Sequence, residues 1–175
     1  LPAPTADPMA MYAIGRVLCK CLLDDHPIGK GLGIFVFEYL ASGHDLLSRR
    51  VFRSADRALA VLRDFDPKLA STWANLLANP CAGLSLDNFV QRGEGDDELP
   101  DEELPTTAES FEYAIIAGCR QRLYTCREEA LKSLRSGFTS VDQVDFTVQL
   151  GAFTSEQLAF MMRGKLELSQ QDLID

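Results

Sequence analysis

The sequence has no strongly basic segment and no long apolar run. Lysine and arginine total 17 against 26 aspartates and glutamates, and the net charge is −9. The only basic pair that stands out is Arg49 and Arg50. Because nucleic-acid binding needs a basic patch to displace counterions, nucleic acid is not an expected partner. No apolar run reaches the roughly 18 residues that a membrane-spanning helix needs, so no membrane partner is predicted.

Histidine is scarce, and the five cysteines are not spaced like metal ligands. The histidines are His26 and His44. Cys19 and Cys21 would point about 200° apart on a helix. Zinc ligands instead come in pairs separated by roughly two to four residues, with a second pair nearby. Buried free thiols are the default for such cysteines. We therefore expect no metal and no cofactor.

A secretory signal is also missing. The first residues, "LPAPTADPMAMYAIGRVL", lack a basic segment followed by an apolar run and a cleavage site of small residues. Cysteines in a chain without such a signal are typical of a reducing compartment. The sequence thus predicts a cytoplasmic or nuclear protein.

No arrangement of residues indicates an active site. The segment "GKGLG" around Lys30 has no serine or threonine after the lysine, so it does not match a phosphate-binding loop. A nucleophilic cysteine needs a histidine, a cation or a helix N-terminus beside it. Cys126 follows a predicted helix cap at Thr125, but no histidine lies near it in the sequence. None of the cysteines is predicted to be catalytic.

What the sequence does contain is a series of helix signals. Pro8 suits a first helical turn, and apolar residues then recur at three- and four-residue spacing. The buried stripe predicted for this helix consists of Met11, Ile14, Val17, Leu18, Cys21 and Leu22. A second helix is predicted to close at Gly43. Helix caps are predicted at Ser54, Asp66, Thr107, Thr125, Thr154 and Ser169.

The predicted fold class is α+β, mainly α-helical with a short strand or hairpin region. Alternation of Leu84, Leu86 and Phe89 predicts the strand. Residues 93–103 carry seven acidic and no basic side chains, which is typical of a solvated loop. We therefore divide the chain into an extended lead-in (1–10), a helical part (11–92), an acidic loop (93–104) and a second helical part (105–175).

The order of six motifs resembles the N-terminal lobe of a HECT-type ubiquitin ligase. The motifs are "YAIGRVLCKCLLDDHPI", "LRDFDPKLASTWANLL", "GLSLDNF", "LPTTAESFEYAIIA", "ALKSLRSGFTSV" and "FTSEQLAFMMRGKLELSQQDLID". The resemblance implies that this lobe docks a ubiquitin-conjugating enzyme. In the family, a separate C-lobe cysteine accepts ubiquitin and passes it to a substrate lysine. That lobe's signature is not in this sequence, so we expect a fragment without catalytic residues that is inactive alone.

The resemblance also implies which residues receive the conjugating enzyme. In the family, an apolar groove is formed by the helix after Asp-Pro, the next strand and a tyrosine-bearing helix. The corresponding residues here are Leu69, Trp73, Leu76, Leu84 and Tyr113. The alternative for these residues is that they belong to the core. For the whole chain, the alternatives are a degenerate HECT-like interaction module without transferase activity, or an unrelated helical thiol or metal protein.

Overall fold

The computed structural model describes residues 1–29, 31–90, 103–140 and 150–164. These residues form α-helices and single-turn 3₁₀ helices. The α-helices are α1 (Pro8–Leu23), α2 (Ile34–Arg50), α3 (Ala55–Phe65), α4 (Pro67–Ala78), α5 (Ala108–Leu123), α6 (Glu128–Thr139) and α7 (Ser155–Arg163). The 3₁₀ helices are Leu86–Asn88 and Thr125–Arg127. None of the described helices is both long enough and apolar enough to cross a membrane.

The chain divides into two compact units. The terminal unit consists of Leu1–Asp45 and Arg127–Asp175, and the central unit is Leu46–Cys126. All five residues of the predicted groove lie in the central unit.

In the terminal unit, α1 packs closely on α6 because each helix contributes a glycine. A Cβ at Gly15 would overlap the backbone carbonyl of Leu134, and a Cβ at Gly137 would overlap that of Tyr12. The two backbones therefore approach more closely than side chains would allow. Around this crossing lies a core that includes Leu18, Phe37, Leu40, Phe138, Leu158 and Met162.

The glycine contact changes the face that α1 buries. Leu18 is buried as predicted, but Val17 is 62% exposed and Ile14 is also exposed. The predicted stripe is wrong at these two positions. The reason is that Gly15 is buried without an apolar side chain, so the hydrophobic pattern cannot register it.

The segment before α2 is held on the C-terminal end of α7. The amide of Ile28 donates a hydrogen bond to the carbonyl of Met162, with an N···O distance of 2.8 Å. The Arg163 guanidinium donates to the carbonyl of Leu32 and lies 5.1 Å from the centre of the Phe37 ring. These contacts fix the start of α2 against the core of the terminal unit.

The range of α2 contains a kink at Gly43, where two helical stretches meet. Gly43 has φ 65° and ψ −171°, a conformation that favours glycine. The interruption leaves carbonyls without helical donors. The Nε atom of Arg135 on α6 donates to the carbonyl of Leu40 over 3.2 Å. The predicted helix end at Gly43 is therefore confirmed for the first of the two helical stretches, and the second stretch follows it directly.

Three of the predicted caps are confirmed. Asp66 accepts from the Leu69 amide over 3.0 Å and Thr107 accepts from the Ser110 amide over 3.2 Å. Thr154 and Gln157 form the reciprocal bonds of a capping box. Each cap fixes where its helix starts, and hence which side chains face the core. Ser169 lies outside the described residues.

One predicted cap is confirmed in its position only, and another is wrong. Ser54 stands before α3, but its side chain makes no cap hydrogen bond. The Ala55 amide instead donates to the carboxylate of Glu112 on α5, over 3.3 Å. Thr125 begins a 3₁₀ turn, so α6 starts only at Glu128. Because the turn delays the start of α6 by three residues, Thr125 does not occupy the position before the helix. The predicted capping box is therefore not formed.

The predicted strand is not formed by the described residues. One isolated antiparallel bridge joins Ser85 to Glu103. The chain then turns into the 3₁₀ helix Leu86–Asn88, because the Asn88 side chain accepts from the Ser85 amide over 2.7 Å. The described structure is therefore mainly helical, and the β part of the α+β prediction is reduced to this bridge. Of the acidic loop 93–104, only Glu103 and Leu104 lie within the described residues.

Candidate docking surface

Helix α4 aligns three of the five predicted site residues. Asp66 caps the helix and Pro67 occupies its first turn. Leu69, Trp73 and Leu76 then follow at four- and three-residue steps, which places them on one face. Leu69 and Leu76 are half-buried, whereas Trp73 is only 4% exposed. The α4 face is therefore a buried aromatic flanked by two partly accessible leucines.

Trp73 belongs to a cluster of aromatic rings in the central unit. Its ring centre lies 5.6 Å from that of Phe89, with the planes tilted by 47°. Phe89 in turn meets Phe111 edge-on, at 6.2 Å. The tryptophan ring also lies against Gly118 of α5, where an added Cβ would be 2.7 Å from the Trp73 Cη2 atom. The small residue at 118 thus makes room for the indole.

A basic side chain of α5 also reaches Trp73. The Arg122 guanidinium lies 6.0 Å from the centre of the tryptophan ring, within the range of a cation–π contact. Arg122 is exposed and stands in the last turn of α5, one turn beyond Gly118. The α5 face toward Trp73 therefore carries a glycine and then an arginine.

Tyr113 lies on a different face of α5. It is 65% exposed, whereas Phe111 and Ile115 on either side of it are fully buried. Five residues separate Tyr113 from Gly118, which corresponds to about 140° around the helix axis. The tyrosine consequently points away from the side of α5 that contacts Trp73.

Leu84 is half-buried, and a backbone hydrogen bond fixes its position. Its carbonyl accepts a hydrogen bond from the Leu104 amide over 2.7 Å, next to the Ser85–Glu103 bridge. Leu104 lies three residues before the cap of α5 at Thr107. The segment bearing Leu84 is thereby tied to the segment that leads into the tyrosine-bearing helix.

The structure thus brings Leu69, Trp73 and Leu76 onto one face of α4 and sets Tyr113 on a separate face of α5. Sequence reasoning missed three residues that define the surroundings of Trp73, namely Phe111, Gly118 and Arg122. Gly118 lies seven residues after Phe111 and four before Arg122. Residues at these spacings share one side of a helix, so the sequence could have indicated that the three face the same neighbour.

The cysteines offer no reactive centre that geometry supports. All five are free thiols. Burial raises the pKa of Cys119 from its ordinary 9.0 to about 12, which keeps this thiol protonated at neutral pH. Cys126 is exposed, but it lies in a 3₁₀ turn instead of at the start of an α-helix. Within the described ranges, no group of three or more histidine, cysteine or acidic side chains could hold a metal ion.

Comparison with known families decides the class of the protein. A family model described as HECT-domain (ubiquitin-transferase) matches residues 2–175. The chain belongs to the HECT-domain family. The resemblance drawn from the sequence motifs is thereby confirmed as that of a HECT-type ubiquitin ligase, a family whose activity is ubiquitin transfer. No curated protein and no solved structure matches the chain significantly.

Proposed function

We propose that this HECT chain is an N-lobe segment that docks a ubiquitin-conjugating enzyme on its central unit. The proposed contact residues are Leu69 and Leu76, which flank the buried Trp73 on α4, together with Leu84 and with Tyr113 on α5. Ubiquitin then passes to a cysteine in another part of the full-length protein and from there to a lysine of the protein substrate. Membership of a transferase family supports this division of labour, and so does the burial of Cys119, which raises the pKa of that thiol.

The exposure of Tyr113 is the observation that carries the proposal. A tyrosine that is 65% exposed on a helix whose other side is core gains little from folding. Tyrosine and tryptophan are enriched among the residues that dominate binding energy at protein interfaces. The partly accessible leucines of α4 and Leu84 add apolar area in the same unit. Tyr113 on α5 and the leucines are separate accessible apolar patches of the central unit, and each is suited to contact an apolar side chain of a partner.

The cysteines also support two further parts of the proposal. Cys119 remains protonated and buried, so it is unsuited to accept ubiquitin as a thioester. We therefore propose that this chain alone does not transfer ubiquitin. Five free thiols suit a reducing compartment, which supports a cytoplasmic or nuclear location.

Titration with a panel of ubiquitin-conjugating enzymes tests the docking proposal. Trp73 is the single tryptophan of the chain, so its fluorescence reports on the central unit when the enzyme used has no tryptophan. We expect saturable binding with a dissociation constant in the micromolar range, which corresponds to a binding free energy of about −8 kcal/mol. Tyr113→Ala should weaken binding at least about tenfold, because it removes an aromatic anchor.

Phe160→Ala provides a matched control. Phe160 is also an exposed aromatic on a helix, at 66%, but it lies on α7 of the terminal unit. We expect this variant to bind as the wild type does. Equal loss of binding in both variants, or no saturable binding with any enzyme of the panel, contradicts the proposed surface.

A further inference from the structure

We propose that a basic corner of the central unit, formed by Arg49, Arg53 and Arg57, docks an acidic segment of a partner protein. This surface is separate from the one proposed for the conjugating enzyme. The three side chains are exposed and follow one another at four-residue intervals, in a chain whose net charge is −9. Sequence reasoning had picked out only the neighbouring pair Arg49 and Arg50.

The basic corner is built on the turn between the end of α2 and the start of α3. Val51 and Phe52 in this turn are buried, and the amides of both donate to the carbonyl of Leu47. The Arg57 guanidinium donates to the carbonyl of Arg50 over 3.4 Å. That bond joins the first turn of α3 to the last residue of α2. The fold therefore holds the three arginines on one corner of the central unit.

Two of these arginines stand where a positive charge is unfavourable. Arg57 lies in the first turn of α3, and Arg53 precedes the residue Ser54 at its cap position. The N-terminal end of a helix carries a partial positive charge, which favours acidic side chains and disfavours basic ones. A departure from such a local rule is expected at functional sites. Arg49 suits the last turn of α2, so helix electrostatics explains that residue but not the other two.

The acidic groups nearest in the fold do not neutralise the basic corner. Asp56 is exposed in the first turn of α3, and the carboxylate of Glu112 accepts a hydrogen bond from the backbone at the start of that helix. Within the described part of the chain, neither carboxylate forms an ion pair with Arg53 or Arg57. The guanidinium groups outnumber these carboxylates, so the local charge is positive on an acidic protein.

The chemistry of the basic corner specifies its partner. A guanidinium binds a carboxylate through two parallel hydrogen bonds, which an ammonium group cannot do. A run of aspartates and glutamates therefore matches the corner in both charge and donor geometry. A nucleic acid carries a phosphate at every nucleotide, so much of its length would face the acidic remainder of this chain. A short acidic segment of a protein avoids most of that repulsion.

Fluorescence anisotropy of a fluorescein-labelled oligoglutamate peptide tests the proposal. The intact chain should bind the peptide saturably at low salt, and the affinity should fall as salt is raised, because exposed charges are screened. Arg53→Glu combined with Arg57→Glu should weaken binding at least about tenfold, since two guanidinium groups are lost and two carboxylates repel the peptide. Absence of saturable binding by the wild type at low salt overturns the proposal.

Arg16→Glu combined with Arg63→Glu is the matched control. Both are exposed arginines outside the basic corner, and the two substitutions change the net charge by the same amount. This variant should bind the peptide within about twofold of the wild type, because distant exposed charges are largely screened. Equal weakening in the two double variants overturns the basic corner, since net charge alone would then explain the binding.

Two further measurements complete the test, and neither depends on whether a conjugating enzyme docks. If circular dichroism shows that the first double variant is unfolded, Arg53→Gln combined with Arg57→Gln replaces it, with an expected loss of about threefold. Unchanged peptide binding in a folded variant overturns the proposal. A single-stranded oligonucleotide of equal charge should bind more weakly than the peptide. Tighter binding of the oligonucleotide overturns the choice of partner in favour of nucleic acid.

Discussion

Trp73 and Tyr113 illustrate how two aromatic residues of one unit take opposite environments. Trp73 is buried because Gly118 leaves space for its ring and Phe89 packs beside it. Tyr113 is exposed because the buried side of α5 is already occupied by Phe111, Ile115 and Gly118. Spacing along each helix could predict which residues share a face. It could not predict which face meets a neighbouring helix, since that depends on the crossing of α4 and α5.

At the same scale, the burial of Cys119 predicts a specific chemical behaviour. Cys81 and Cys126 are exposed and should react with a thiol reagent in the native protein, whereas Cys119 should react only after unfolding. The measurement is Ellman's titration with and without urea, followed by mass-spectrometric mapping of the modified cysteines. Rapid native modification of Cys119 would contradict its placement in the core.

The same thiol makes stability depend on pH in the alkaline range. The pKa of Cys119 is about 12 in the folded protein and 9.0 ordinarily, so folding favours the protonated form. Its contribution is complete below about pH 9 and is lost as the pH rises toward 12. The free energy of unfolding in urea should fall between about pH 9 and about pH 12, and fall less in Cys119→Ala. Equal falls in both proteins would contradict the shifted pKa.

At the scale of elements, the crossing of α1 and α6 shows what a hydrophobic pattern cannot reveal. The sequence could predict α1 as an amphipathic helix, because its apolar residues recur at helical spacing. Glycine gives no signal in such a pattern, so the close approach at Gly15 and Gly137 stayed hidden. The contact rotates the buried face of α1 and leaves Val17 in solvent.

Alanine at either glycine of the crossing should destabilise the protein. Helix propensity alone favours alanine over glycine by about 1 kcal/mol. An added Cβ at Gly15 or Gly137 would, however, overlap a backbone carbonyl that cannot rotate away. Overpacking of this kind costs about 1–3 kcal/mol. We expect a net loss of stability in urea denaturation. Gly31→Ala is the control, because nothing lies within 4 Å of a Cβ there. A stabilised Gly15→Ala would contradict the packing.

Helix caps show a second limit of local sequence reasoning. Asp66 and Thr154 were predictable because the cap and its amide lie within one turn. Ser54 was predictable as the residue before α3, but the partner of the first amide was not, because the Ala55 amide donates to Glu112, 57 residues further along the chain. A local rule cannot detect a partner that only tertiary structure brings near.

Substitution of the two competing caps of α3 distinguishes them. Glu112→Ala should lower stability by about 1 kcal/mol, since it removes a carboxylate from the N-terminus of a helix. Ser54→Ala should change stability by less, because the Ser54 side chain makes no cap bond. Both are measured by urea denaturation. A larger loss for Ser54→Ala would show that serine is the functional cap.

At the scale of the whole molecule, the family was predictable and the arrangement of the groove was not. The order of the motifs resembles that of the HECT-domain family, whose model matches residues 2–175, and motif order does not depend on tertiary detail. The predicted strand failed because Ser85 and Asn88 close a turn on themselves. The side of α5 that carries Tyr113 likewise depends on packing within the central unit, which no single segment encodes.

Hydrogen exchange on binding is the measurement that tests the docking account most directly. The chain would be saturated with the best-binding conjugating enzyme, and amide exchange compared with that of the free chain by mass spectrometry. The account predicts slower exchange in α4 and α5 of the central unit, lost in Tyr113→Ala, and no change in α6 and α7. Protection confined to the terminal unit, with α4 and α5 unchanged, would contradict the proposed docking surface.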